Sequence, residues 1–367
     1  MTAKSPSPAL DTLQAGRAFA ALAVLLFHVE LTLNLPQYLD HAVVPAFRMG
    51  FSGVHFFFVL SGFVILLATR RDIGAPGRVA TFAWKRARRI YPPLWAALAI
   101  VVPATLLWPP LNNGVGFGAL DVLSAATLVP ATFDPVLSVV WTLRHEALFY
   151  AVFALVLWRP RLGLAVGAAW MALSAALPWT PLVREDWIRF FFTSQHLLFA
   201  FGAGALLLFE RGPVRAPAAL LAGGVLLFAA TWAIPLMKLP LNGILANWMF
   251  GIGAAAAILG AAELERRGRL KTPRWLAFLG EASYAIYLIH APIVYAAASA
   301  ALALAPGLKT APGLLFGLVA LASLGGGLLF HVWIEKPLLA RMPNALPRRS
   351  AEEKPEASAT QAGQGFD

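Results

Sequence analysis

Residues Gln14–Glu30 read QAGRAFAALAVLLFHVE, so Arg17 and His28 bracket ten consecutive apolar residues. The run continues to about residue 34, which gives roughly the 20 apolar residues that one membrane crossing requires. Eleven residues separate the two polar side chains, almost three helical turns. They therefore project from one face, about 16 Å apart along the axis. An ionisable side chain within a span is costly, and by default it needs a partner or a task. Alone, Arg17 reads equally as a cation snorkelling to headgroups, and His28 as a buried structural hydrogen-bonder. The pair on one face is the stronger signal, because it suits a long ligand with an anionic head and a reactive tip.

The rest of the chain repeats the membrane pattern. Hydrophobic residues make up 59% of the 367 and charged residues 13%, about half the charged fraction of a soluble domain. The apolar runs are long and do not alternate, which predicts an all-α, polytopic helical bundle and not a β-barrel. Ten spans are expected at roughly 14–34, 48–69, 92–109, 139–158, 162–182, 190–209, 216–236, 240–262, 275–300 and 312–333. The first has no A-x-A-like site after it and reads as a retained span. Val115 to Phe133 contains Asp121 and Pro130; it is expected as a short helix against the outer interface. Cysteine is absent, so thiolate nucleophiles, thiolate metal sites and disulfides are excluded.

The net charge of +11 does not point to nucleic acid, because the charge is sorted by topology. With the N-terminus inside, 22 of the 29 Lys and Arg residues fall in cytoplasmic segments and five outside, with Arg17 and Arg144 at or within spans. That bias sets both termini on the cytoplasmic side by the positive-inside rule. Residues 1–341 are expected as one membrane domain. Residues 342–367, rich in Pro, Ala, Glu and Gln, are expected as a disordered cytoplasmic tail.

Four further stretches carry polar groups into this apolar background. FFFVLSGF (Phe56–Phe63) offers the Ser61 hydroxyl and a small Gly62 that permits close helix approach. WKRARRIYPPLW (Trp84–Trp95) places four cations within five residues before a proline pair, which is expected to break the chain where the third span begins. Those cations suit anionic lipid headgroups and equally the phosphates of a nucleotide-bearing ligand. In WTLRHEALFY (Trp141–Tyr150), Arg144, His145 and Glu146 point about 100° apart, and Glu146 alone is expected to face the interior. GEASYAIYLIHAP (Gly280–Pro292) places Ser283, Tyr287 and His290 at spacings of four and three, one polar stripe on the ninth span, which also carries Glu281 and Tyr284. Two polar stripes in one bundle imply a shared cavity. No H-x-x-x-H or comparable spacing marks a metal site.

These elements together resemble the acyltransferase 3 family of integral membrane O-acyltransferases, in particular stand-alone members that modify exopolysaccharides. The family's Arg, ten residues, His pattern matches Arg17 and His28; its S-G-F matches Ser61, Gly62 and Phe63; its R-x-x-R-I-x-P matches Arg86, Arg89, Ile90 and Pro92. W-S-L-x-x-E-x-x-F-Y matches Trp141, Leu143, Glu146, Phe149 and Tyr150, with Thr142 in place of Ser. S-Y-x-x-Y-L-x-H matches Ser283, Tyr284, Tyr287, Leu288 and His290, and E-K-P matches Glu335, Lys336 and Pro337. Arg144 and His145 stand where apolar or small residues are common, a departure at the acceptor-facing mouth.

The resemblance implies a bacterial cytoplasmic (inner) membrane enzyme with no metal. Its co-substrate would be acyl-CoA, usually acetyl-CoA, and its acceptor a hydroxyl of a cell-surface or exported glycan, free or lipid-linked. Arg17, Arg86 and Arg89 would hold the donor's phosphates. His28 would act as base, since an unperturbed imidazole is suited to proton transfer near neutral pH. Glu146 would face the same interior, and Ser61 and Tyr287 would orient His28 or stabilise the oxyanion. A proton-coupled transporter or flippase would also bury His and Glu in a membrane cavity, but usually with internally repeated halves, which this chain lacks. A scaffold for glycan assembly without chemistry would leave Arg17 and His28 replaceable.

Overall fold

The computed structural model describes residues 10–131 and 136–343. From the N-terminus, the helices are α1 (Asp11–Leu33), α2 (Gly53–Thr69), α3 (Val79–Leu107), the short α4 (Ala119–Thr127), α5 (Val140–Trp158) and α6 (Pro160–Ala176). Then follow α7 (Asp186–Phe191), α8 (Leu197–Glu210), α9 (Pro217–Leu236), α10 (Gly243–Arg266), α11 (Arg274–Glu281), α12 (Ser283–Leu304), α13 (Pro312–Phe330) and α14 (Lys336–Ala340). No strand occurs among the described residues. Among the described residues ten helical segments are long and apolar enough to cross a membrane, and each overlaps one of the ten expected spans. The chain is an all-α, multi-pass membrane protein. The 115–133 stretch forms α4, too short to span, with residues 132–133 outside the description. The expected tail lies, from residue 344 on, outside the described residues.

The spans are not equally central. The most apolar windows of α1, α2, α5 and α12 are 50–56% buried within the protein, against 17% for those of the 160–179 and 217–236 segments. The first four therefore form the middle of the bundle, and all four carry the polar motifs. Small residues bring α2 and α8 backbone to backbone: a Cβ on Gly62 would lie 2.0 Å from the Phe199 carbonyl oxygen, and one on Gly202 only 1.8 Å from that of Val59. Beside this seam Phe58, Phe199 and Phe149 stack in sequence, with ring centroids 4.7 and 4.3 Å apart.

Two expected boundaries are corrected. The proline pair does not break the chain. Helix α3 runs from Val79 through Pro92 and Pro93 to Leu107. The two prolines remove the donors that the Arg88 and Arg89 carbonyls would use, but in a bundle a helix tolerates such prolines because neighbouring groups and local adjustment can satisfy freed carbonyls. Next to them the Tyr284 hydroxyl ties α12 to α3 by donating to the Ile90 oxygen at 2.9 Å. Conversely, the expected ninth span is two helices, divided at Ala282. Before the break Gly280 meets α1 directly, where a Cβ would lie 2.1 Å from the Gln14 oxygen. Helix α11 exposes Trp275 and ends at an exposed Glu281, so Glu281 is not on the span that carries Ser283, Tyr287 and His290.

Candidate functional site: an arginine-lined cavity and a histidine pair

The sequence of α3 sorts its own cations. Arg86 and Arg89 are three residues apart and share a face, whereas Arg88 donates to the Leu339 oxygen of α14 and Lys85 is exposed. Arg86 and Arg89 line a cavity of about 100 Å³ together with Arg17 of α1, Ser61 of α2, Glu146 of α5 and Tyr287 of α12. Six of the seven residues singled out from the sequence thus meet around one space, although they come from five helices.

The electrostatics of that space are lopsided. Arg17 donates from Nε to the buried Ser283 hydroxyl at 3.2 Å, and Arg86 lies over the rings of Phe82 and Tyr150, 6.0 and 5.9 Å from their centroids. Among the described residues neither these two nor Arg89 forms an ion pair, and the Arg86 Nε is buried without a hydrogen-bond partner. One carboxylate, Glu146, faces three guanidinium groups. Its Oε1 accepts from the Ser61 hydroxyl at 2.9 Å and also from the Tyr150 hydroxyl, which leaves Oε2 without a hydrogen bond among the described residues. Three cations held around one carboxylate in a partly apolar cavity fit an anionic ligand. The residues present are therefore suited to a phosphate-bearing donor.

Neither hydroxyl expected near His28 contacts it. The Ser61 proton goes to Glu146, and Tyr287 meets Thr142 at 2.8 Å. Thr142 spends its own proton on the Val139 carbonyl at 2.8 Å, so Tyr287 is the donor. His28 does not line the cavity. It is half-buried beyond Tyr287, beside His290: the Tyr287 ring centroid is 5.8 Å from that of His290, which is 4.6 Å from that of His28. Its Nδ1 lies 2.9 Å from the Val24 carbonyl oxygen and 3.1 Å from His290 Nε2, and its Nε2 has no hydrogen bond among the described residues.

Other polar groups are buried away from this cavity. Arg144 and His145 were expected to turn away from the interior, but they are 2% and 7% exposed. Arg144 donates to the Ser124 hydroxyl of α4 at 2.8 Å, and His145 Nδ1 lies 2.9 Å from His196 Nε2. Three directions around α5 are all interior because other elements pack on every side at that level. Glu30 is fully buried and accepts from the backbone N–H groups of Val43 and Val44 at 3.2 and 2.8 Å, with Arg48 Nε 3.6 Å away. Glu335 accepts from His331 Nδ1 at 2.7 Å across a five-residue π-helical turn. Among the described residues no group of three or more His, Asp or Glu side chains is placed to hold a metal.

Comparison with known proteins identifies the family. The family model described as an acyltransferase domain (acyltransferase 3) matches residues 10–332. The chain is 31% identical over 309 residues to the exopolysaccharide production protein ExoZ of Rhizobium meliloti (strain 1021), covering 80% of this chain and 91% of that protein. It is 28% identical to the acyltransferase MdmB of Streptomyces mycarofaciens, covering 94% and 95%, and 29% identical to nodulation protein 10 of Rhizobium leguminosarum bv. viciae over 44% and 48%. No solved structure matches the chain significantly. With a family model over nearly its whole length, this chain belongs to the acyltransferase 3 family and is an acyltransferase.

Proposed function

We propose that the protein transfers an acyl group, acetyl in the first instance, from cytoplasmic acyl-CoA to a hydroxyl of an exported or cell-surface glycan. The observation that carries this reading is the cavity in which Arg17, Arg86 and Arg89 stand without carboxylate partners among the described residues. The nucleotide phosphates sit on those cations, and the pantetheine arm extends along the axis from Arg17 toward His28. Oε2 of Glu146, its other oxygen held by Ser61 and Tyr150, is the acceptor offered to an amide N–H of that arm. Similarity to a protein named for exopolysaccharide production favours a glycan acceptor. The membrane is the bacterial cytoplasmic membrane, with both termini inside, as the distribution of Lys and Arg favours.

The chemistry follows from the free ring nitrogen. His28 Nε2 takes the proton of the acceptor hydroxyl as its oxygen forms a bond to the thioester carbonyl carbon. The C–S bond then breaks, and the same proton passes to the sulfur, which leaves as the thiol of CoA. His28 ends neutral, as it began. With the N-terminus inside, His28 stands toward the outer half of the bundle, which favours an acceptor that approaches from outside while the donor stays inside.

Vesicles containing the purified protein are supplied with labelled acetyl-CoA on the cytoplasmic side and a membrane-impermeant glycan on the other. The reading predicts labelled glycan and equimolar free CoA. Label only when both substrates share the cytoplasmic side would remove the two-sided route. Release of neither product would remove the acyl-CoA donor, and transport of the glycan would be tested next.

A further inference from the structure

The hydrogen bonds of the histidine pair fix where its protons are. A carbonyl oxygen can only accept, so His28 Nδ1, 2.9 Å from the Val24 oxygen, carries a hydrogen. By the same rule His290 Nδ1, 2.7 Å from the Tyr287 oxygen, carries one too. A neutral imidazole has a single N–H, so His290 Nε2 is a lone pair, and it faces His28 Nδ1 at 3.1 Å. The N–H of His28 is shared between Val24 O and His290 Nε2, and the remaining lone pair of the couple is on His28 Nε2. The opposite tautomers would set lone pairs against carbonyl oxygens. His290 is fully buried within α12, and no carboxylate contacts either ring among the described residues.

We infer that His290 is a positioning residue for His28, its Nε2 lone pair doing for the base what a carboxylate does in a serine-type triad. This rests on the reading of His28 as the base. When His28 takes the acceptor proton on Nε2, its Nδ1–H becomes a charge-assisted donor to His290 Nε2. In the limit that hydrogen moves across: the His28 Nδ1–H bond breaks, a His290 Nε2–H bond forms, and the charge rests on His290 with both its N–H groups satisfied. Return of the hydrogen to Nδ1 restores the charge to His28, whose Nε2 proton then passes to the leaving sulfur. No proton is gained or lost by the pair. The neutral partner suits this place, because a carboxylate would add a second buried charge with no cation beside it.

The test is His290→Leu against His290→Gln. Leucine fills the volume without an acceptor, and a glutamine oxygen can reach the place of Nε2. Hydrogen bonds to charged groups predict that His290→Leu lowers kcat by about tenfold to about a hundredfold, with KM for acetyl-CoA within about twofold of wild type. His290→Gln should recover most of that loss, which a purely space-filling role would not allow. Wild-type kcat in His290→Leu, or glutamine no better than leucine, overturns the inference. If His28→Ala itself keeps full activity, the base lies elsewhere and the underlying reading fails instead; an inactive His28→Ala beside a fully active His290→Leu sinks only the inference.

Discussion

Gly62 lies in the S-G-F element, next to a residue of the cavity, and its replacement by alanine separates packing from chemistry. A Cβ there would sit 2.0 Å from the Phe199 oxygen and 2.8 Å from its carbonyl carbon, about 1.4 Å short of the 3.4 Å of ordinary contact. The neighbour is backbone and cannot swing away, and Gly202 closes the same seam from the other side. Helices α2 and α8 must therefore part by about an ångström or more. Overpacking of this kind costs about 1–3 kcal/mol. The displacement also acts on the Ser61 hydroxyl, whose bond to Glu146 is 2.9 Å; one further ångström leaves hydrogen-bonding range. Gly62→Ala is expected to lower Tm by several degrees and turnover by about tenfold, the loss of roughly one charge-assisted hydrogen bond. Gly204→Ala is the control, because a Cβ there meets nothing within 4 Å and should be neutral or stabilising by about 0.5–1 kcal/mol. Thermal unfolding followed by tryptophan fluorescence, with turnover on the same preparations, decides it. Wild-type Tm and turnover in Gly62→Ala would refute the close approach on which the cavity wall depends.

Glu30→Ala strips two half-buried backbone N–H groups of their acceptor and should cost about 1–3 kcal/mol of stability, seen as a lower unfolding temperature; an unchanged one would mean that the 43–48 segment is held without it. Glu146→Leu removes the acceptor shared by Ser61 and Tyr150 and should abolish measurable transfer, whereas Glu146→Gln, which keeps an oxygen for both hydroxyls, should retain part of it. Equal activity in the two variants would count against the hydrogen bonds. Because three cations face the donor site, KM for acetyl-CoA should rise as salt increases from 0.05 to 0.5 M (on the order of severalfold, given partial burial); a salt-independent KM would argue against phosphate binding there.

Much of this was legible in the sequence, for a physical reason. A membrane span advertises itself by length and apolar content alone, so ten spans could be placed without knowing their neighbours. Helical spacing likewise put Arg17 with His28, and Ser283 with Tyr287 and His290, on common faces. What could not be read was which faces meet. Arg86 and Arg89 look like any basic loop until α3 is seen to continue through Pro92 and Pro93, giving them one face and Arg88 another. Arg144 and His145 looked peripheral because a periodicity argument assumes one buried side, and α5 has none that is open at that level. The break at Ala282 depends on Gly280 touching α1, a contact between residues 266 positions apart. Glu30 and the His28–His290 pair are also tertiary facts: each partner was visible in the sequence, the pairing was not.

The central claim divides the labour: Arg17 holds the donor and His28 moves the proton. The most direct measurement is steady-state acetyl transfer from acetyl-CoA to glycan by wild type, Arg17→Ala and His28→Ala at matched purified amounts, with kcat and KM for the donor resolved. The account predicts that Arg17→Ala raises KM for acetyl-CoA by about tenfold or more, as loss of a charge-assisted contact requires. It predicts that His28→Ala binds the donor normally and loses turnover by about a hundredfold or more, the contribution of a general base. Full turnover in His28→Ala, or unaltered donor affinity in Arg17→Ala, would contradict it.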